Sequence, residues 1–534
     1  MSTSSPSSAP EVNSYDVTPY PSGAFPQTHP NRLAAIARLF GVAAKSPNEA
    51  RVLELGCADG SNLLPFAEQA KSASCIGVDS STANIEAARK AAEGAGLKNV
   101  EFWLQDILDF PSSADQFDYI IVHGVYSWVP QPVREKILAI CQAHLAENGI
   151  AYISYNAHPG WNLRRSLRDM MLFHTRSISD PKLKVQQARA LLAFLAESVP
   201  SENNAYGMLL KNELNMFGNL ADNYLLHDIL GEENTPFYFH EFVSEAGKHG
   251  LQYLGEPNIA EMLTTNFSEK VRQTLSQLNN QLVAQEQYMD FVRNRSFRQT
   301  LLVRSGVPIK RNIDSSVMSR FAFRSSLVRA TGPVELVPGV PVSFATAANV
   351  QITSADTFVK AVLLALTETK GVTVVSYNAL LESARTRSRP FLADAPANRD
   401  EVEEATLQMN LLNLLAKGFV EIYAEPLAVR TDVPEKPVVT PLARYQALSA
   451  RLVTNRMHQS IPADTPSRYI IAACDGTRTR DDLLNELITR VTEGKLQVNE
   501  GSEKVTDEKK LRVLLKPVLD TGLTALANAG FFAA

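Results

Sequence analysis

The stretch from Val52 to Asn62, Val-Leu-Glu-Leu-Gly-Cys-Ala-Asp-Gly-Ser-Asn, decides the fold class of this chain. Its first residues are apolar and predict a short buried strand, and a Gly-x-x-x-Gly turn formed by Gly56 and Gly60 follows directly. Glycine allows a tight turn and a close approach of the backbone to a ligand. A helix predicted to begin near Ser61 presents its free N–H groups at the same place. This order predicts a nucleotide-type ligand at the edge of an α/β sheet.

Two carboxylates follow the turn at spacings that suit such a ligand. The next predicted strand ends at Asp79, 23 residues after Gly56, close to the ~20-residue offset at which a carboxylate accepts hydrogen bonds from ribose hydroxyls. Asp106 follows a third predicted strand and can accept from an adenine amino group, while Ile107 packs on the ring. Tight packing of strand and helix would explain the glycines alone, but not the carboxylates. The Gly-x-Gly-x-x-Gly turn of dinucleotide dehydrogenases is absent.

The segments around this stretch alternate between strand and helix. Short apolar runs predict strands over residues 51–55, 75–79, 117–122 and 150–154. Helical periodicity lies between them, over residues 84–93 and 132–144. This alternation is typical of α/β proteins with a Rossmann-like, doubly wound and largely parallel sheet. We therefore predict this fold for residues 15–160.

The length of 534 residues is too great for one core and predicts roughly three or four domains. Residues 1–14 are rich in Ser and Pro and predict a disordered tail. Residues 15–160 comprise the α/β domain with an N-terminal arm. Residues 161–305 show helical periodicity with few strand signals, so we predict a mostly helical domain there.

Two winged-helix-like α+β modules are predicted over residues 306–435 and 436–534. The pattern Leu-x-x-Leu-x-x-x-Gly-Phe of residues 411–419 recurs at residues 523–531. Each copy follows two further helices and enters an apolar segment, which is the order of helices and strand in a winged helix. Asp481 and Asp482 begin the second helix of the last module and would repel phosphate. Protein contact is therefore the favoured use of these modules.

Charge and composition exclude several classes of protein. Lys and Arg number 52 and Asp and Glu 57, a net charge of −5, which argues against a nucleic-acid partner. No run approaches the ~18 apolar residues of a membrane span, and the N-terminus lacks the features of a secretory signal. Four scattered cysteines predict neither a disulfide framework nor a zinc site. We expect a cytoplasmic protein without a bound metal.

Three of these motifs together resemble those of the class I S-adenosylmethionine-dependent methyltransferases: Glu-Leu-Gly-Cys-Ala-Asp-Gly, Gly-Val-Asp79 and Leu-Gln-Asp106-Ile. Ala58 replaces the commoner middle glycine of that family. The segments 154–161, 227–239 and 290–298 resemble bacterial methyltransferases that carry a methyltransferase regulatory domain. That group includes the rickettsial-type protein-lysine methyltransferases, which act on outer-membrane proteins. The likeness runs from residue 15 to 305 and continues more loosely to the C-terminus.

The resemblance implies S-adenosyl-L-methionine as the cofactor and a protein, through a lysine side chain, as the methyl acceptor. The residues assigned to the cofactor are Tyr20, Thr28, Glu54, Gly56, Ala58, Gly60, Asn62, Asp79, Ser80, Asp106, Ile107 and His123. On the acceptor side, aromatic side chains can surround an ammonium group and an amide can orient it. The candidates there, after two of the strands, are Tyr126, Trp128, Tyr155, Asn156 and Trp161.

Several alternatives stay open at this point. Tyr20 and Thr28 belong to the N-terminal arm, which we expect to lie over the cofactor and exclude water; the alternative is an arm that only covers apolar surface. The chain could instead be a cofactor-sensing regulatory or binding protein that uses its winged-helix-like modules, or a methyltransferase of a small molecule. The sequence also allows a homodimer.

Overall fold

A seven-stranded sheet lies at the centre of the N-terminal part of the chain. The structure, a computed structural model, describes residues 22–218, 220–278, 281–392, 398–450, 452–501 and 503–533. The tail predicted over residues 1–14 and the arm residue Tyr20 lie outside the described residues. In chain order the strands of the sheet are β1 Arg51–Leu55, β2 Ser74–Asp79, β3 Val100–Leu104, β4 Phe117–Val122, β5 Leu145–Asn156, β6 Leu251–Gly255 and β7 Phe297–Arg304.

The strands lie in the order β3-β2-β1-β4-β5-β7-β6, and β7 runs antiparallel to both of its neighbours. β1 pairs in parallel with β2 and with β4, so the carboxyl ends of these strands meet at one edge. Alternate residues of β1 enter different cores, Val52 on one face and Leu53 and Leu55 on the other. Because both faces are covered, these strands read as continuous apolar runs. The predicted Rossmann-like fold is confirmed.

Helices cover both faces of this sheet. Those of the described residues before 305 are α1 Pro30–Leu39, α2 Leu63–Gln69, α3 Thr82–Gly94, α4 Gln131–His144, α5 Gly160–Thr175, α6 Pro181–Ser198, α7 Ala205–Gly218, α8 Asp222–Tyr224, α9 Phe239–Lys248, α10 Ile259–Met262, α11 Glu269–Ser276 and α12 Leu282–Arg293. Leu33 of α1, Phe66 of α2 and Ile85 of α3 belong to one core. Leu138 of α4 and Phe242 of α9 belong to the core on the opposite face.

The sheet takes its last two strands from beyond the predicted domain boundary. β6 and β7 lie within residues 161–305, so a boundary at residue 160 divides the sheet. The physical reason is that β7, Phe-Arg-Gln-Thr-Leu-Leu-Val-Arg, includes polar residues that an apolar strand pattern does not predict. Its Arg298 is buried because Glu256, Glu286 and Asp290 pair with the guanidinium at 2.7, 3.0 and 2.8 Å.

Helices α5 to α8 form a helical insert between β5 and α9. Leu167, Leu192 and Leu210 contribute to its core. Within it, α7 ends at Gly218 and α8 begins at Asp222. α8 continues directly into a π-helical turn, Leu225–Ile229. This insert borders the carboxyl edge of the sheet.

The two C-terminal modules share an order of helices. The first contains β8 Ala322–Ser325, β9 Leu327–Ala330, β10 Val342–Thr346, β11 Gln351–Ser354, α13 Thr357–Glu368, β12 Val375–Ser376, α14 Tyr377–Ser388, α15 Arg399–Ala416 and β13 Val420–Tyr423. The second contains α16 Pro441–Ser449, β14 Leu452–Thr454, β15 Ser460–Pro462, α17 Thr465–Ala473, α18 Arg480–Thr492, β16 Asn499–Glu500, β17 Glu503–Lys504 and α19 Glu508–Asn528. In each, the long last helix is followed by a glycine of positive φ, Gly418 at +75° and Gly530 at +73°.

Neither a membrane span nor a metal cluster is found in the part of the chain that the structure describes. None of the helices there has the length and apolar character needed to cross a bilayer. The same residues contain no group of three or more His, Cys, Asp or Glu side chains that could hold a metal ion.

Candidate active site

A cleft of about 790 Å³ opens at the carboxyl edge of the sheet. Residues that follow β1, β2, β3 and β4 line one part of it, and the helical insert lines another. Asp79, Asp106 and His123 are all among the lining residues. Ligands of open α/β sheets bind at this edge, so the topology and the cavity identify the same place.

The turn after β1 has a backbone that glycine adopts without strain. Gly56 and Gly60 have φ angles of +72° and +74°. A Cβ atom on Gly56 would overlap Cγ2 of Val125, and one on Gly60 would lie 2.7 Å from Cζ of Phe102. Ala58 between them also has a positive φ, +46°. Gly56 and Ala58 line the cleft, whereas Gly60 lies behind it and packs against β3.

The carboxylate of Asp79 joins this turn to the end of β2. Its Oδ2 accepts a hydrogen bond from the backbone N–H of Ala58 at 2.9 Å, and its Oδ1 accepts from that of Ser81 at 2.9 Å. Ser80 lies beside it in the cleft wall. Asp79 therefore orders the glycine turn at the position where the resemblance places a ribose-binding acid.

Asp106 and Ile107 lie in the adjacent wall, after β3. Oδ1 of Asp106 accepts from the backbone N–H of Leu108 at 2.8 Å, which caps a short helical turn. The Asp106 side chain is exposed, and Leu108 is 45% exposed. A carboxylate next to exposed apolar surface suits a flat heteroaromatic ring with an amino group.

Glu54 is buried at the base of the cleft. Its Oε1 accepts from Nδ2 of Asn62 at 2.7 Å, while its Oε2 is buried without a hydrogen-bond partner among the described residues. Burial raises the pKa of Glu54 to about 8, against the lowering effect of the Asn62 hydrogen bond. An unpaired carboxyl oxygen that faces a cavity is a position for a hydrogen-bond donor, in particular a cationic one.

Asn62 connects three distant parts of the chain. Its Oδ1 accepts from the backbone N–H of Phe25 at 2.9 Å and lies 3.0 Å from the hydroxyl of Thr28. Nε2 of His458, from the second C-terminal module, lies 3.0 Å from the same oxygen. The arm and that module also meet directly, since Ala24 N–H donates to Oγ of Ser460 at 2.7 Å. Thr28 is buried behind the cleft rather than in its wall.

His123, at the end of β4, contacts the N-terminal arm. Its ring centroid lies 4.1 Å from that of Phe25, and its Nδ1 lies 3.0 Å from the hydroxyl of Tyr152. Burial lowers the pKa of His123 to about 4. The imidazole is therefore neutral near pH 7, and it presents an uncharged wall to the cleft together with Phe25 and Gln27.

Trp128, Asn156 and Trp161 line the other end of the cleft. The two indole rings meet edge to face, with centroids 6.1 Å apart. Nδ2 of Asn156 donates to Oδ1 of Asn234 at 3.1 Å, which fixes the orientation of its amide. The guanidinium of Arg164 lies 5.9 Å from the Trp161 ring.

Tyr126 and Tyr155 are not in the cleft wall. Both rings are buried in the core beneath it, where Tyr155 stacks on Phe242 with centroids 4.1 Å apart. The Tyr155 hydroxyl lies 3.2 Å from that of Thr300 in β7. Their assignment as acceptor contacts does not agree with this placement. Tyr155 alternates with Asn156 at the end of β5 and so faces the opposite side of the sheet, and Tyr126 enters the same core from the helical turn Tyr126–Trp128.

Apart from Trp161 at the start of α5, the wall formed by the helical insert is absent from the sequence-based assignment. Most of its residues lie far along the chain from any strand, so the rule that sites lie after strands does not predict them. The segment that begins at His227 is part of the family resemblance, but no role was assigned to it. The lining residues that sequence reasoning missed include Arg164, Met216, Phe217, Leu220, Tyr224 and Asp228.

Three protein-family models match successive parts of the chain. Residues 52–149 match a methyltransferase domain. Residues 221–304 match a predicted methyltransferase regulatory domain, and residues 435–531 match the C-terminal winged helix domain of PKMT proteins. The first two matches meet within the single seven-stranded sheet described above.

Rickettsial proteins are similar over most of the chain. An uncharacterized protein of Rickettsia prowazekii is 35% identical over 512 residues, which cover 94% of this chain and 90% of the relative. The structure of PKMT2 from Rickettsia typhi in complex with AdoHcy is 33% identical and superposes with a TM-score of 0.85, covering 97% of this chain and 100% of that one. The chain therefore belongs to the family of S-adenosylmethionine-dependent methyltransferases that carry a methyltransferase regulatory domain and a PKMT-type winged helix domain.

Proposed function

We propose that this methyltransferase transfers methyl groups to lysine side chains of a protein. The observation that carries the proposal is the acceptor end of the cleft, where Trp128 and Trp161 meet at 6.1 Å in the same cavity as the glycine turn. Indole faces attract cations such as a lysine ammonium group. The likeness to PKMT2 over 97% of the chain supports the same acceptor class.

The cofactor end of the cleft fits S-adenosylmethionine. The buried Oε2 of Glu54, which has no partner among the described residues, suits the ammonium of an amino-acid moiety. In this proposal Asp79 accepts hydrogen bonds from the ribose hydroxyls, and Asp106 with Ile107 binds the adenine ring. Gly56 lets the turn pass close to Val125, where a Cβ atom would overlap Cγ2. When bound, the cofactor supplies a methyl group on a positively charged sulfur, which a neutral amine can accept.

In this proposal the chain positions the reactants and excludes water. Phe25 and Gln27 of the arm line the cleft, and the arm is held through Asn62 and Ser460. This supports an arm that closes over the cofactor rather than one that covers only apolar surface. Alignment of this kind is the main source of acceleration in a displacement that needs little acid–base chemistry.

On the acceptor side, Trp128 and Trp161 would flank the lysine side chain and Asn156 would orient its nitrogen. A lysine has an unperturbed pKa near 10.4, so its nitrogen must lose a proton before it can attack. The proton leaves to solvent. We assign no chemical role to Tyr126 or Tyr155, since neither lines the cleft.

The C-terminal modules would then hold a protein substrate. The helix α18 begins with two acidic residues, Asp481 and Asp482, which give its N-terminus a negative charge. Asp482 accepts a hydrogen bond from the backbone N–H of Thr479 at 2.8 Å. Such a helix start repels nucleic-acid phosphates. We accordingly propose a cytoplasmic enzyme that binds a protein rather than DNA or RNA.

Transfer of a tritiated methyl group to a bacterial cell extract tests the proposal. The purified enzyme is incubated with labelled cofactor and extract, with and without RNase or protease treatment, and labelled protein is hydrolysed for amino-acid analysis. We expect label in protein as methyllysine, resistant to RNase and lost on protease treatment. The Asp79→Ala variant is the matched control and should give none.

Other distributions of label would contradict the proposal. Label confined to small molecules would assign the enzyme to a small-molecule acceptor, and RNase-sensitive label would assign it to RNA. Absence of label from every fraction would count against lysine methylation as the activity.

A further inference from the structure

The hairpin β14–β15 of the second C-terminal module contacts the N-terminal arm beside the cleft. Oγ of Ser460, the first residue of β15, accepts a hydrogen bond from the backbone N–H of Ala24 at 2.7 Å, although 436 positions separate the two residues. Ala24 is buried, and its neighbours in the chain, Gly23 and Phe25, both line the cleft. The hydroxyl of Ser460 therefore holds the backbone of the arm at the point where the arm forms part of the cleft wall.

The arm and the hairpin lie in close contact at this point. A Cβ atom on Gly23 would lie 3.0 Å from Oγ of Ser460 and 3.4 Å from its Cβ. The first distance is shorter than an ordinary van der Waals contact, so a side chain at position 23 would displace either the arm or the hydroxyl. The glycine thus allows the next residue, Ala24, to reach its acceptor.

Hydrogen bonds fix the turn of this hairpin within its own module. Oδ1 of the buried Asn455 accepts from the backbone N–H groups of Met457 and Gln459, both at 2.9 Å. Nδ2 of Asn455 donates to the carbonyl of Ala529, directly after α19, at 2.7 Å. Ser460 therefore extends from an ordered turn, which gives the arm an acceptor at a defined position.

The module is also attached to the α/β domain by contacts that do not involve the arm. Oε1 of Glu68, in α2, accepts from the backbone N–H of Leu442 in the first turn of α16 at 2.7 Å. Nε2 of Gln69 donates to the carbonyl of Arg456, in the same hairpin turn, at 3.1 Å. The position of the hairpin beside the sheet is thus set independently of the arm that it holds.

The arm carries its aromatic ring to the other side of this contact. The ring of Phe25 lies 4.1 Å from that of His123, centroid to centroid, and both residues line the cleft. Because Phe25 directly follows Ala24 in the chain, the hydrogen bond to Ser460 restricts where this ring can lie. Loss of the bond would leave the wall of the cleft less well ordered at the cofactor end.

We propose that Ser460 is a positioning residue for the cofactor: the second C-terminal module holds the arm closed over the bound cofactor through this hydroxyl and so slows its release. The proposal rests on the proposed function, in which the arm closes over the cofactor. It gives the module that would bind a protein substrate a second role, in retention of the cofactor.

Release of AdoHcy from the full-length enzyme tests the role of Ser460. Surface plasmon resonance on immobilised enzyme measures both rates. In Ser460→Ala the dissociation rate should rise about fivefold, as expected for one hydrogen bond, with the association rate within twofold of wild type. Ser449→Ala is the matched control, since it removes an exposed hydroxyl of the same module that donates to the carbonyl of Tyr445 at 2.9 Å; it should release AdoHcy at the wild-type rate.

A double variant shows whether Ser460 acts through the arm. Phe25→Ala removes the ring that the arm places in the cleft and should itself speed the release of AdoHcy. Addition of Ser460→Ala to Phe25→Ala should then change the dissociation rate less than twofold, because residues that act as one unit are not additive. A full fivefold effect of Ser460→Ala in that background would overturn the assignment, since the hydroxyl would then act by another route.

These measurements use AdoHcy without a methyl acceptor and are therefore independent of lysine methylation. Wild-type dissociation of AdoHcy from Ser460→Ala would reject the positioning role of Ser460 even if methyllysine forms. Absence of methyllysine together with faster release from Ser460→Ala would instead reject the proposed acceptor and support the role of Ser460.

Discussion

Nε2 of His458 lies 3.0 Å from Oδ1 of Asn62, although 396 residues separate them in the chain. His458 is in the turn between β14 and β15, with a positive φ of +58° and 2% exposure. Burial, and the neighbouring His29, lower its pKa well below the usual value, so the ring is neutral. Because Asn62 presents an acceptor, the proton is on Nε2. The second C-terminal module thus contributes a hydrogen bond to the residue that holds Glu54.

Loss of this hydrogen bond should weaken cofactor binding. In His458→Ala, Asn62 loses a partner and a void opens beside the arm, so we expect AdoHcy affinity to fall about tenfold. Isothermal titration calorimetry measures the change. His458→Gln, which keeps an N–H donor, should recover part of it, and the exposed His174→Ala is the control that should change nothing. If His458→Ala bound AdoHcy with wild-type affinity, the second C-terminal module would have no effect on cofactor binding.

Cofactor binding should release a proton from Glu54. The pKa of about 8 leaves this carboxyl mostly protonated at pH 7 in the ligand-free protein, whereas pairing with a ligand ammonium favours the charged form. We expect release of about one proton per AdoHcy at pH 7, which declines as pH rises above 8. Calorimetry in buffers of different ionisation enthalpy measures it. Glu54→Gln should abolish the release, and an unchanged value would exclude this group.

The same carboxyl should make the ligand-free protein less stable at alkaline pH. A pKa raised from 4.5 to about 8 on folding stabilises the folded state fully below pH 4.5, and this contribution is lost as pH rises through 8. Glu54→Gln removes the ionisation. The melting temperature of the variant should therefore exceed that of wild type at pH 9 by about 3 °C, with a smaller difference at pH 5. An equal difference at both pH values would contradict the effect.

Substitution of Gly56 should lower the free energy of unfolding by more than backbone strain alone accounts for. Gly56→Ala places a Cβ atom against Val125 at a φ of +72°, while Gly96→Ala has a φ of +69° and nothing within 4 Å. We expect the free energy of unfolding to fall by about 1–2 kcal/mol in Gly96→Ala and by about 3 kcal/mol in Gly56→Ala. Denaturant unfolding compares the two. Only Gly56→Ala should also lose AdoHcy affinity. If the two variants lost similar amounts of stability and of AdoHcy affinity, the glycine turn would have no specific role in cofactor binding.

Removal of the Asp79 carboxylate should abolish cofactor binding. Asp79→Ala leaves the N–H groups of Ala58 and Ser81 without their acceptor and removes the group proposed for the ribose. We expect at least a hundredfold loss of AdoHcy affinity in calorimetry, whereas Asp115→Ala, at an exposed site, should bind normally. Retained affinity in Asp79→Ala would overturn the assignment of the cofactor site.

Local sequence patterns were sufficient for the parallel half of the sheet. β1 and β4 were predicted with their observed bounds, because a strand covered on both faces needs a continuous apolar run. β7 was missed because Arg298 interrupts such a run, and its burial depends on Glu256, Glu286 and Asp290 from other elements. These partners lie 8, 12 and 42 residues before Arg298 and outside its strand, so the residues of the strand alone do not predict its burial.

The sequence by itself determined the chemistry at the carboxyl ends of the strands. The glycine turn, Asp79 and Asp106 directly follow the strands that position them in the chain. Their spacing in the sequence therefore predicts their arrangement in the structure. Only the tertiary structure decided which side chains complete the cleft: Tyr126 and Tyr155 lie below it, Asp228 lines it from the helical insert, and His458 of the second module supports it through Asn62. The physical reason is that strand ends are brought together by backbone hydrogen bonds of one sheet, whereas the other walls form through side-chain packing between segments far apart in the chain.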